Sequence, residues 1–303
     1  MAAARTALTA EGLLSYRLEV VVARPVLLPP SPDLVELVVP ADYGTRRGSL
    51  YKARGLQYAL ETSQLPPDAW IFHCDEESHV TRSLVRGIAA AVGEEEASGR
   101  HRIGQGCVLY HHMLTDHPLL TLADSIRTGD DVGRWHLQNA HVGLPLLGMH
   151  GSFVLVRASV EAAVDFDDGP LASITEDAWW ALKATEAGHR TRWVDGLLVE
   201  QAPESVLDLV RQRQRWMSGL RRTARYAPAR RAYRLPLRLL NASWSLAPAA
   251  LAFTAANLLL GRAAVLYVLQ LVLMPVFAAL EALGVLAATV RSARSFHVIR
   301  KRH

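Results

Sequence analysis

The sequence predicts an α/β sheet domain followed by a C-terminal transmembrane hairpin of two helices. Three features point there. Over roughly the first 200 residues, short apolar runs alternate with amphipathic helical patterns, as in a sheet covered by helices. Residues 239–261 and 263–280 then carry no charge at all, each run close to the ~20 apolar residues a spanning helix needs. Charge divides at the same place: residues 1–205 hold 17 Lys/Arg against 27 Asp/Glu, whereas residues 206–303 hold 16 against two acids, Asp208 and Glu281.

The elements follow in order. Tyr16–Ala23 reads as a strand ended by Pro25, and Leu34–Val39 as a second. Ser49–Glu61 is an amphipathic helix with Leu50, Ala53, Leu56, Ala59 and Leu60 on one side. Ala69–Cys74 is a strand that runs straight into Asp75-Glu76-Glu77, and Thr81–Val92 a helix stopped by Gly93. Ile103–Tyr110 and Ser152–Val156 are further strands. Ser173-x-x-Glu176 has the form of a capping box, opening a helix that runs to about Ala187 before Gly188. Thr191–Val194 is a short strand, and Ser205 caps a helix through Gly219.

Ten arginines from Arg211 to Arg238 precede the first apolar run, and Arg291, Arg294, Arg300, Lys301 and Arg302 follow the second. Only Arg262 lies between them. By the positive-inside rule both flanks, and with them the first 205 residues, face the cytoplasm. The organisation expected is therefore a cytoplasmic domain over 1–220, a basic segment over 221–238, two membrane helices over 239–290 and a basic tail over 291–303. The basic segment reads equally as an interfacial amphipathic element or a disordered linker. A pI of 9.3 raises the question of nucleic acid, but the basic residues flank apolar runs and do not alternate with stacking aromatics, so a membrane surface is the expected partner. Two cysteines, Cys74 and Cys107, exclude a disulfide scaffold; both lie on apolar strands and read as small core residues. The opening MAAARTALTAEG holds no continuous apolar stretch, so no secretory signal peptide is expected.

Three clusters are candidates for chemistry. Asp75 and Glu77 lie two apart at the C-terminal end of a strand, where α/β sheets gather ligands and where two carboxylates can share a hard cation such as Mg²⁺ or Mn²⁺. Taken alone, a solvated acidic turn is the plainer reading. Thr175-Glu176-Asp177 sits at a helix start, where acids complement the helix dipole or hold a general base rigidly. Gln212, Arg215 and Trp216 share a helix face suited to headgroups or to a diphosphate. His73, His111, His112, His117 and His150 match no metal spacing and read as structural.

In this order, followed by apolar runs, the three clusters resemble the inverting family 2 glycosyltransferases. The stretches YKARGLQYALE (51–61), WIFHCDEES (70–78), GQGCVLY (104–110), TLADSIRTGDDVG (121–133), GSFVLV (151–156), FDDGPLASITEDAWWALKATEAGH (166–189) and LVRQRQRWMSG (209–219) are similar to the egghead-type β-1,4-mannosyltransferases. The resemblance covers residues from about 10 to 220. It implies a GT-A fold and a metal-dependent transfer of a hexose, mannose from GDP-mannose first, to a membrane-presented lipid or glycan acceptor with a β linkage. On this reading Asp177 is the base and Glu176 positions the acceptor. Asp75 and Glu77 hold Mn²⁺ or Mg²⁺; Lys52, Asp75, Gln212 and Arg215 bind the donor; Trp216, Gly151 and Ser152 meet the acceptor.

Two departures stand out. The chain opens at what looks like the helix after the family's first strand, so an N-terminal membrane span and that strand are expected to be missing, and the family's acid after the second strand falls at Ala23. The Ala/Arg-rich composition points to a bacterial membrane. Two alternatives follow: a processive β-glycan synthase using a UDP-sugar, for which two spans are few, and a catalytically silent membrane-bound binding protein.

Overall fold

The computed structural model describes residues 6–9, 11, 15–28, 31–110, 117–249 and 268–293. Among the described residues, seven strands form two sheets. β1 (Leu18–Val22) and β2 (Leu34–Val38) pair in parallel. The main sheet is mixed, with β3 (Trp70–His73), β6 (Val154–Arg157), β5 (Ile103–Tyr110), β7 (Thr191–Glu200) and β4 (His79–Val80) side by side in that order. Only β5 and β7 run parallel there; every other pair is antiparallel.

Alternation along the strand before and through β6 shows how the sequence makes two cores. Val154 and Val156 face Ile103, Val160, Val164, Phe166, Trp180 and Ala184. Phe153 and Leu155 face Leu84, Ala91, Val108, Val194 and Leu198. A period of two puts apolar side chains on both faces, and helices cover both. One layer holds α5 (Ala158–Val164) and α6 (Glu176–Glu186); the other holds α2 (Arg82–Ser98). α1 (Tyr51–Thr62) joins β2 to β3 and sends Leu56 into the first core.

Several boundaries differ from expectation for local reasons. α2 runs through Gly93 and stops at Gly99, whose φ of +63° is left-handed; Gly93 has a helical φ and stops nothing. α6 has no side-chain cap, because Ser173 is not its N-cap: Ser173 Oγ accepts the Leu50 N–H at 2.9 Å and donates to Gly169 O. That bond ties the loop before α6 to the start of α1. β7 extends to Glu200, and Cys74 is exposed while Cys107 is buried. His111 and His112 lie outside the described residues. From Pro118 to Val142 the chain is helical throughout: α3 (Pro118–Asp124), α4 (Ile126–Asp130), then π-helical turns at Asp131–Trp135 and Leu137–Val142.

α7 (Val206–Tyr226) is capped by Ser205, whose side chain accepts the Asp208 N–H, and continues past Gly219. Gly219 is where α7 meets α6. A Cβ built there would lie 2.4 Å from Thr175 Cγ2 and 2.7 Å from its Oγ1. Gly219→Ala gains about 1 kcal/mol of helix propensity, but the clash is against a buried side chain next to the helix start and costs about 1–3 kcal/mol. We expect a net loss of stability, read as a lowered melting temperature; a stabilised variant would show that α7 can move away from Thr175.

The basic segment is helical, not a linker: α8 (Arg231–Trp244) docks through buried Leu237 beside Trp179, Leu182 and Ala224. Among the described residues, the membrane hairpin expected over 239–290 is not found. Residues 250–267 lie outside the described residues, and among the described residues no helix is long and apolar enough to cross a membrane. The second apolar run forms α9 (Val268–Val290), one side of which is spent on α7, with Val285 and Ala288 against Met217.

Candidate active site

Lys52 stands at the centre of the site. It lies in the first turn of α1, just after Tyr51, whose φ of +54° is left-handed. Backbone strain of this kind in a non-glycine residue persists only where the surroundings hold it. The Lys52 ammonium pairs with the Asp75 carboxylate and donates to Gly151 O at 3.1 Å. Burial works against its charge, but Asp75, then Glu176 and Asp177, hold it above the ordinary lysine value. Gly151 makes room for this: a Cβ there would lie 3.1 Å from Lys52 Nζ and 3.3 Å from Asp177 Oδ2.

Asp177 sits half-buried in the first turn of α6, its Oδ1 accepting the Ala178 N–H at 2.7 Å. Glu176 beside it is buried. Burial pushes both carboxyls above their ordinary values; for Glu176 the neighbouring Asp177 charge adds to this, and Lys52 opposes it in both. Arg215 on α7 completes the group. Burial pulls its guanidinium down, while the charges of Glu176, Asp177 and Asp75 pull it back up, so all three carboxylates act on it. Lys52, Asp75, Gly151, Glu176, Asp177 and Arg215, picked from stretches far apart in sequence, thus converge.

The remaining candidates fall around this centre. Ser152 is buried beneath Asp75, whose N–H donates to Ser152 Oγ at 3.4 Å and to Ser78 Oγ at 3.2 Å. Glu77 is half-exposed in the same turn. Gln212 Oε1 accepts a hydrogen bond from Arg213 Nη1, and the Trp216 ring is engaged by the guanidinium groups of Arg127 and Arg213 at 4.4 and 4.6 Å. Among the described residues no three His, Cys, Asp or Glu side chains are grouped to hold a metal ion. The donors at hand are the hard oxygens of Asp75 and Glu77. Such a pair suits Mg²⁺ or Mn²⁺ when phosphate oxygens supply other positions.

Sequence reasoning missed three residues here. Glu200, at the end of β7, is buried and accepts from Ser78 at 3.2 Å and Tyr110 at 3.3 Å; burial, then Asp75, push its carboxyl up. Asp131 accepts the Val108 N–H and pairs with His150, whose ring lies 4.5 Å from Trp135. His73 pairs likewise with Glu161. Reading β7 as ending at Val194 hid Glu200; extending the apolar alternation through LLVE would have placed it at a strand end beside Tyr110.

Behind Asp177 a cavity of about 30 Å³ reaches Phe166, Trp180 and Met149. It has room for about one water and not for a sugar. A larger hollow of about 480 Å³, lined by Arg47, Trp179, Lys183 and Tyr226, includes none of the converging residues.

A profile of the glycosyl transferase family group 2 matches residues 70–283. The chain is 38% identical over 211 residues to the β-1,4-mannosyltransferase egh of Drosophila melanogaster, covering 69% of this chain and 45% of that protein. It is 34% identical over 239 residues to the β-1,4-mannosyltransferases bre-3 of Caenorhabditis elegans and Caenorhabditis briggsae, covering 78% of this chain and 52% of each. The chain therefore spans about half the length of the curated relatives it matches. The mixed sheet between helical layers fits a GT-A domain. The match takes in β3 to α9, and with them the acidic turn, the Glu176-Asp177 helix start and the Gln212/Arg215/Trp216 helix, so the chain belongs to glycosyltransferase family 2.

Proposed function

We propose that this chain carries an inverting, metal-dependent hexosyltransferase site that uses a nucleotide-sugar, GDP-mannose first, and builds a β linkage on an acceptor presented at a membrane. The observation that carries this is the convergence of Lys52 and Arg215 on Asp75, Glu176 and Asp177. It sets a candidate base beside two cations able to face a leaving diphosphate. Asp177 Oδ2 accepts the proton of an acceptor hydroxyl. The acceptor's hydroxyl oxygen bonds to the anomeric carbon from the face opposite the leaving group, and the bond to the nucleoside diphosphate breaks. One displacement converts an α-linked donor into a β-linked product. Asp75 and Glu77 would hold a cation, which supplies neutralisation of the charge on the departing diphosphate. Lys52 and Arg215 oppose the same charge from the protein side.

Exposed apolar faces on two helices support the membrane reading. α9 keeps Leu283, Leu286 and Val290 exposed opposite its packed side, and α8 exposes Leu235 and Leu239 beside arginines. Apolar surface of this kind among cations suits a bilayer interface. The cytoplasmic placement of the catalytic domain is part of the same proposal.

The test uses membranes expressing the chain, incubated with radiolabelled GDP-mannose or UDP-glucose, Mn²⁺ and a host lipid extract. Label entering a lipid or glycan fraction, and lost on Asp177→Asn, is the expected result. Transfer from UDP-glucose alone would replace the donor, and growth of a polymer would favour the synthase alternative. Binding of neither GDP nor UDP would favour the silent binding protein.

The acid limb of the pH–rate profile is a second check. The base must be unprotonated; burial raises both carboxyls, and at Glu176 the neighbouring Asp177 charge adds to the rise. Activity should therefore rise with pH through a value above the ordinary carboxylate range. Glu176→Gln removes the like charge, so the limb should move to lower pH; a limb that stays in place would uncouple Glu176 from the base.

A further inference from the structure

Arg127 lies in α4, outside the three sequence clusters, and its surroundings are unusual. Its guanidinium carbon lies 4.6 Å from the centre of the Tyr110 ring and 4.4 Å from that of Trp216. Each ring leads into the site by a short path. The Tyr110 hydroxyl donates to Glu200, Glu200 accepts from Ser78, and Ser78 accepts the Asp75 N–H. Trp216 directly follows Arg215 on α7. Arg127 is therefore held between the support of the acidic turn and the helix that brings Arg215 to the carboxylates.

The contrast with Arg213 is informative. Arg213 touches the same Trp216 ring, but its N–H groups are spent on Asp124, Glu281 and Gln212. Arg127 has only the rings: among the described residues its guanidinium donates no hydrogen bond and makes no ion pair. An arginine stacked on aromatic faces keeps its N–H groups in the plane of the fork, pointing outward, which is the arrangement that grips phosphate. Burial opposes its charge, yet Tyr110 and Asp124 keep the group above its ordinary value, so it stays a cation.

We infer that Arg127 is a diphosphate-binding residue of the donor site, its fork aimed at the phosphate oxygens of the nucleotide-sugar; this rests on the glycosyltransferase reading above. The rival role is purely mechanical, a cation–π bolt that fastens α4 to α7. The two differ in what substitution does to ligand affinity.

The full-length chain, wild type, Arg127→Met and Arg127→Lys, would be titrated calorimetrically with GDP, UDP and inorganic pyrophosphate in the presence of Mg²⁺. Met keeps the apolar stem and removes the fork; Lys keeps a point charge. We expect Met to weaken the preferred nucleoside diphosphate and pyrophosphate by about tenfold or more, the scale of a charged hydrogen bond. Lys should fall between Met and wild type, and the ligand-free melting temperatures should stay close together. Wild-type affinity in the Met variant overturns the inference and leaves the glycosyltransferase reading standing. If the Met variant does not fold, the Lys variant decides, and wild-type affinity there overturns the inference. A wild-type chain that binds none of the three ligands overturns both.

Discussion

Asp177→Asn should lower turnover by about 10²–10⁴, the usual worth of a positioned general base, with little change in affinity for the nucleotide-sugar. The substitution is nearly isosteric, and the amide oxygen can keep the bond that Oδ1 accepts from the Ala178 N–H. Lys52 retains Asp75 and the Gly151 carbonyl as partners. What is lost is the carboxylate Oδ2 beside Gly151, the oxygen proposed to take the proton. Asp75→Asn makes the contrast: it removes a charge from the Lys52 pair and from the candidate cation site, so its effect should appear in the donor KM and in the metal concentration needed for half activity. Steady-state kinetics on both variants separates the roles. Near-normal kcat in Asp177→Asn would transfer the base role to Glu176, the other carboxylate at the start of α6.

Much of this site was legible because its residues sit at element ends that periodicity defines. Asp75 follows an apolar strand, Glu176 and Asp177 open a helix, and Gln212, Arg215 and Trp216 share a helical face. β5 matched its expected bounds because both ends are marked by polar residues and its interior, Gln105 apart, is apolar or small. Ser173 misled for a physical reason. Its hydroxyl fits a capping box on spacing alone, but a long-range partner, the Leu50 amide, competes for it and wins.

The stretch 117–142 was hidden for a different reason. It breaks between α3 and α4 at Ser125 and turns π-helical from Asp131, so exposed Leu119, Leu122, Ile126, Val132 and Leu137 and buried Asp124 and Asp131 do not share one continuous 3.6-residue pattern. Buried carboxylates cannot be foreseen from composition, since each is tolerated only through a partner distant in sequence: Arg213 for Asp124, His150 for Asp131. Arg127 was missed with them. In the sequence it is one cation in a polar stretch; only the fold supplies the two rings.

The pairing of Arg213 with Glu281 also changes the meaning of both residues. In the sequence Glu281 interrupts an apolar run and Arg213 is one of many arginines. In the structure Arg213 is 2% exposed and lies between Asp124 and Glu281, while Glu281 also accepts the Trp244 indole N–H at 3.1 Å. Burial disfavours the Arg213 charge, but Asp124 and Glu281 more than offset it and raise its pKa. The network thereby joins α3, α7 and α9, and it fixes the face of α7 that presents Arg215 and Trp216. Arg213→Met should cost about 3–5 kcal/mol, because it strands Asp124 without its counter-charge in a buried position. Adding Asp124→Leu and Glu281→Leu should restore most of that loss, since an apolar replacement of a whole buried network is close to neutral. Denaturant melts of the single and triple variants measure both effects. A triple variant that recovers stability yet binds nucleotide diphosphate poorly would locate the network's contribution in orienting α7. If the single variant unfolds at the wild-type denaturant midpoint, the Asp124 carboxylate has reached water, and α9 is not held to α7 by this pair.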